Sequence, residues 1–165
     1  MGLDALGKWM GQSWLGEAAR DIYWLFPTAE IFHFFGLCLL MGSLLLIDLR
    51  VLGFARAVSI RKVIAFTPVA VVGLGINVVS GIVFLCAYPE NYWPSTAFRL
   101  KLLAIIIGAL NALWFKWFEA PRIERLPDDG DADMRAKMVA FLSLTAWIVA
   151  IVLGRFLPYV SLSSS

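Results

Sequence analysis

Residues 28–50, TAEIFHFFGLCLLMGSLLLIDLR, form an apolar run long enough to cross a bilayer, yet ionisable groups stand near both of its ends. Glu30 and His33 lie at one end and Asp48 and Arg50 at the other; His33 is the only histidine in the chain. An imidazole in such a place can ligate a metal or haem iron, relay a proton, or pair with a backbone carbonyl or with Glu30 one turn away. Ionisable side chains in a lipid-length helix are costly, so they face a partner or a cavity. At about 100° per residue, Glu30, His33, Leu37, Met41, Leu44 and Asp48 share a stripe about 80° wide, which is expected to look into a bundle. Gly36 and Ser43 form a strip of small residues beside it, suited to close helix packing. Arg50 lies off the stripe, and with Asp48 it is expected to cap and anchor that helix end.

The same spacing excludes several chemistries. A di-iron bundle needs two Glu-x-x-His motifs and two further glutamates, whereas Glu30-x-x-His33 stands alone and no other glutamate is expected to be buried. With one histidine and no serine or cysteine nucleophile pattern, no hydrolytic constellation forms, and the chain is not expected to be an enzyme by itself. No phosphate-binding glycine motif occurs. Cys38 and Cys86 fall at different depths of separate spans and read as buried thiols rather than a disulfide. A net charge of +2 gives no electrostatic case for nucleic acid.

The elements that must position these residues follow from composition. The chain has 165 residues, 61% of them hydrophobic, against roughly 45–50% in soluble domains. Its mean hydropathy is +0.80. Apolar stretches at about 28–51, 63–88, 97–118 and 137–160 each exceed the length needed to span the hydrocarbon core. The expected fold is therefore all-α: an integral membrane bundle of four transmembrane helices over 27–160, with a short tail at 161–165. Residues 1–26 mix Trp9, Trp14, Tyr23 and Trp24 with scattered charges and read as an interfacial amphipathic helix. Pro27 is expected to break the chain and Thr28 to cap the first span. Residues 119–134 read as the only long polar connection, and its acidic run as solvated.

Lysine and arginine set the expected orientation. Arg50, Arg56, Arg61, Lys62, Lys116, Arg122, Arg125, Arg135 and Lys137 mark one side as cytoplasmic, and the opposite side, with both termini, as periplasmic. Glu30 and His33 then share an outer layer with Arg99, Lys101 and Arg155. Four-helix membrane bundles house b-type haem, and His33 as axial ligand with those cations on the propionates would make one such site. The single histidine rules out a two-haem relay within one chain. Asn77 and Asn111, mid-helix, are expected to hydrogen-bond each other.

Five segments carry a family likeness: WLFPTAEIFH (24–33), MGSLLLIDLRVLG (41–53), NVVSGIVFL (77–85), FRLKLLAI (98–105) with NALWF (111–115), and AWIVAIVLGRFLPY (146–159). Through them the chain resembles a family of small bacterial four-helix integral membrane proteins and, more distantly, CopD-like copper-resistance proteins and four-helix b-type cytochromes. The resemblance implies an inner-membrane location and a periplasm-facing polar site around His33, and no particular activity. One position departs: the resemblance implies that relatives often carry a histidine after the NAL-x-F element, where this chain has Lys116. The leading expectation is a membrane subunit or anchor of a redox assembly, with one b-type haem at His33 and with lipid, other subunits or a second copy as partners. A cofactor-free assembly subunit is the alternative, followed by a small transport or copper-handling protein using His33, Met41 and Cys38.

Overall fold

The computed structural model describes residues 3–54, 56–127 and 130–160, and these are helical with no strand among them. The segment before the first span forms two helices rather than one, α1 (Leu3–Gly11) and α2 (Trp14–Asp21). Ser13 separates them, its hydroxyl accepting from the Gly16 N–H at 3.2 Å as an N-cap. Arg20 on α2 donates to the carbonyls of Gly11 at 2.7 Å and Ala87 at 3.0 Å. It thereby satisfies acceptors that helix C-termini leave open and ties α1 and α2 to the second span.

The first long helix, α3 (Leu25–Leu52), begins before Pro27 rather than after it. A proline in the first turn lacks an N–H that would have no intrahelical partner anyway. The Thr28 N–H already bonds the Trp24 carbonyl at 3.1 Å, so Thr28 is inside the helix and is not its cap. At the far end Gly53 adopts φ 95°, and the Gly53 and Phe54 N–H groups close the helix on Arg50 and Leu49.

The second span is α4 (Ile60–Ile64) followed by α5 (Thr67–Ala87), with Pro68 starting the longer piece. A short α6 (Pro89–Tyr92) leads to α7 (Thr96–Trp114), which runs on through a π-helical turn, Phe115–Glu119, into α8 (Ala120–Ile123). The last helix is α9 (Met134–Val160). Four helical runs, Leu25–Leu52, Ile60–Ala87, Thr96–Ile123 and Met134–Leu157, are long and apolar enough to cross a membrane. The tail 161–165, residues 1 and 2, and Asp128 and Asp129 of the acidic run lie outside the described residues.

Outward faces of these helices expose Phe34, Phe35, Val72, Val79, Ile106, Leu110, Phe141 and Val152. Apolar surface on that scale is foreign to a water-soluble monomer and compatible with a membrane protein.

Helix α3 packs on α5 and on α9, and α9 packs on α7, while α5 and α7 scarcely meet. The order around the bundle is therefore α5, α3, α9, α7, and one flank stays open. The α3–α5 seam is the tightest: a Cβ on Gly73 would stand 2.5 Å from the Leu40 nitrogen and 2.7 Å from the Gly36 carbonyl oxygen. Gly36 and Ser43 are both buried, as their expected packing strip requires. Cys38 is exposed and only Cys86 is buried, which corrects the reading of both as buried thiols.

The end of the bundle carrying the 53–66 and 115–133 connections differs most from expectation. Arg50 is fully buried rather than an outward anchor. Its Nε donates to the Val58 carbonyl at 2.6 Å and its Nη2 to the Gly130 carbonyl at 3.2 Å, so it holds the two connections together. Glu119 is 1% exposed and pairs with Arg135 at 2.8 Å and Arg122 at 3.7 Å, so the 119–134 segment begins as buried helix rather than loop, while Asp131 and Asp133 of the acidic run are exposed. Outside this core Asp131 bridges Lys137 and Arg56 at 2.8 and 3.2 Å. The hydrogen bond from Lys137 and the nearby Arg56 charge hold the Asp131 carboxyl below the usual aspartate range.

Candidate functional site

Two polar places lie within the bundle, one at each end. At the end carrying the termini, the His33 Nδ1 lies 2.8 Å from Ser80 Oγ, and the imidazole packs on Phe84 with ring centroids 5.1 Å apart. The Ser80 hydroxyl donates to the Ile76 carbonyl at 2.7 Å, within its own helix. With the hydroxyl proton directed at Ile76, its oxygen accepts from His33 Nδ1, and a neutral imidazole then keeps a lone pair on Nε2. Glu30 is exposed and does not pair with His33 among the described residues. It stands near Tyr92, whose hydroxyl is pushed up by burial and by the Glu30 charge.

The expected outer layer assembles only in part. Lys101 is half-buried, lies over Gly154 of α9 and is within electrostatic reach of His33. Arg99 is exposed and donates to the Pro94 carbonyl at 3.2 Å. Arg155 is exposed and sits 5.7 Å from the centre of the Tyr159 ring. His33 can therefore present one axial nitrogen to a haem iron, while two of the three cations expected on its propionates turn elsewhere. The residues fit the axial half of such a site only. Among the described residues no cluster of three or more His, Cys, Asp or Glu could hold a metal ion.

The Asn77–Asn111 hydrogen bond does not form. Asn77 donates to the Gly73 carbonyl of its own helix at 2.9 Å, and Asn111 donates to the Val139 carbonyl of α9 at 3.0 Å. The physical reason is the open flank, since α5 and α7 stand at the two ends of the α5, α3, α9, α7 order and do not pack together.

That flank contains a cleft of about 310 Å³, lined by all four long helices. Its walls include Leu40 and Leu44 of α3, Val71 and Leu74 of α5, and Trp147 of α9. Asp48, Asn111, Ser143 and Lys116 bring polar groups to it. Asp48 is 3% exposed and lines the cleft with Ser143, and its Oδ2 has no hydrogen-bond partner. None of the ion pairs among the described residues includes Asp48. A buried carboxyl oxygen without donor or cation costs free energy that a bound group can recover. Asp48 stands four residues before the last residue of α3. At 1.5 Å per residue that is about 6 Å from the helix end.

The sequence places Asp48 both on the inward stripe with Leu44 and at a helix end with Arg50, and gives no sign of the cleft. Lys116 stands exposed at this cleft. The buried Glu119 also had a signal, because Glu119 and Arg122 fall three residues apart, the spacing of a helical ion pair. In comparisons with known proteins, no family model, no curated protein and no solved structure matches this chain.

Proposed function

We propose that the protein is a multi-pass membrane subunit that takes a small amphipathic molecule from the bilayer into the cleft between α5 and α7. The observation that carries this reading is the unpartnered Asp48 Oδ2 at the base of an apolar cleft on the unpacked flank. Binding pockets are commonly apolar, of about 300–1,000 Å³, with a few convergent polar groups. The charge bias supports an inner-membrane orientation with both termini periplasmic, which puts the cleft in the cytoplasmic leaflet. The cleft itself is tested with a nitroxide at Ala112→Cys, in a chain with Cys38 and Cys86 replaced by alanine. Lipid-soluble oxygen is expected to relax this label more than a water-soluble nickel chelate does. The opposite ranking would mean that the cleft opens to water.

A second reading keeps the chain as a redox anchor with one b-type haem, alone or with partner subunits. It is supported by the Ser80 hydrogen bond that leaves His33 Nε2 free to ligate, the second-shell arrangement usual for ligating histidines. When bound, the haem would supply one-electron transfer, and Lys101 would be the cation beside it. The expected result is a Soret band in haem-supplemented protein that His33→Ala removes. A band that survives His33→Ala, or none at all, contradicts this reading.

A further inference from the structure

We propose that the molecule taken into the cleft is headed by an ammonium group, held by the Asp48 carboxylate; this rests on the ligand-binding reading above. Three features of the cleft select that chemistry.

Asp48 is buried and no cation is paired with it among the described residues. A carboxylate in such a place is neutralised by a proton or by a cation that arrives with the ligand. Its Oδ2 is left as an open acceptor. An anionic head would meet this acceptor with repulsion.

The walls suit the remainder of an amphiphile. Trp147, 3% exposed, offers aromatic surface that favours a cation, and Leu40, Leu44 and Leu74 continue the cleft toward the middle of the bundle for an apolar tail. A charged head at the depth of Asp48 with its tail directed inward is also how such a molecule already lies in a bilayer. Entry through the α5–α7 flank then moves the head sideways without dragging it through hydrocarbon.

Lys116 is the one other charged residue that lines the cleft, and it is exposed. It acts against a simple cation and in favour of a head that also carries a phosphate. The ammonium can therefore belong to a free amphiphilic amine or to a zwitterionic lipid headgroup, and Lys116 separates the two sources.

The test is titration calorimetry on the full chain in a nonionic detergent. The probes are benzyltrimethylammonium and neopentylbenzene, its uncharged isostere. The cation is expected to bind the wild type more tightly, and Asp48→Asn to weaken it by roughly 30-fold, the lower range for removing one partner of a buried charge pair. Neopentylbenzene is expected to be indifferent to that substitution. Lys116→Gln, at an exposed position, is expected to tighten the cation by about two- to threefold, the scale of a rim charge. Equal binding of the two probes, unchanged by either substitution, would overturn the charge selection and leave the cleft as a site for neutral molecules. No binding of either probe would overturn the ligand-binding reading itself. Dihexanoylphosphatidylethanolamine as competitor distinguishes the sources: Lys116→Gln weakens it if the lipid headgroup is the ligand and strengthens the simple cation in either case.

Discussion

Arg50→Met is expected to lower the unfolding free energy by about 3–5 kcal/mol, the scale of losing two buried charge-assisted hydrogen bonds. The Arg50 side chain is completely buried, and its guanidinium reaches backbone on two separate connections, Val58 at 2.6 Å and Gly130 at 3.2 Å. Methionine keeps the apolar stem but leaves both carbonyls without this donor. Hydrogen bonds to charged groups contribute about 1.5–3 kcal/mol each, so two of them reach the same range. Arg50→Lys is expected to recover only part of the loss, because one ammonium cannot reproduce a planar fork. Unfolding in mixed dodecylmaltoside and sodium dodecyl sulfate micelles, followed by circular dichroism, reads the difference. A loss below about 0.5 kcal/mol, the range of ordinary surface substitutions, would contradict this role for Arg50.

The second large effect is expected at Gly73. Any Cβ there meets backbone on α3, the Leu40 nitrogen at 2.5 Å and the Gly36 carbonyl oxygen at 2.7 Å, and backbone cannot swing aside as a long side chain can. Gly73→Ala is expected to cost about 3 kcal/mol, the upper part of the range for overpacking. Gly75 supplies the control on the same helix, since a Cβ there meets nothing within 4 Å. Gly75→Ala is expected to stabilise by roughly 0.5–1 kcal/mol through helix propensity alone. The same mixed-micelle unfolding compares the pair; equal effects at the two glycines would mean that α3 and α5 are not in backbone contact.

The four long helices were legible because lipid-length apolar runs leave few alternatives to a spanning helix. The small-residue strip at Gly36 and Ser43 was legible too, as helical periodicity places both on the α5-facing side of α3. Periodicity gives each helix an inward face but not which helices adjoin. For that reason Asn77 and Asn111 were assigned to each other, whereas the structure leaves α5 and α7 apart and gives each amide a carbonyl instead.

Asp48 and Arg50 show the same limit at closer range. They are two residues apart and were read together as a helix end. At about 100° per residue they face directions about 160° apart, so one enters the cleft and the other the loop core. Glu119 reads as the start of a polar connection because the apolar run stops at residue 118, but the π-helical turn carries the helix onward and turns Glu119 inward. The cleft had no sequence signature of its own. Its walls are common leucine, valine and alanine side chains, and only the unpacked flank makes them a site.

The central claim is that Asp48 is reached from the bilayer and not from water. Carbodiimide labelling of the full chain in lipid vesicles, with the modified peptide located by mass spectrometry, measures this directly. Lipid-soluble dicyclohexylcarbodiimide is expected to modify Asp48 and to leave the ion-paired Glu119 untouched. Ala112→Trp, which fills the cleft, is expected to suppress the reaction. An Asp48 that is inert to this reagent, or that a water-soluble carbodiimide modifies equally fast, would contradict the account.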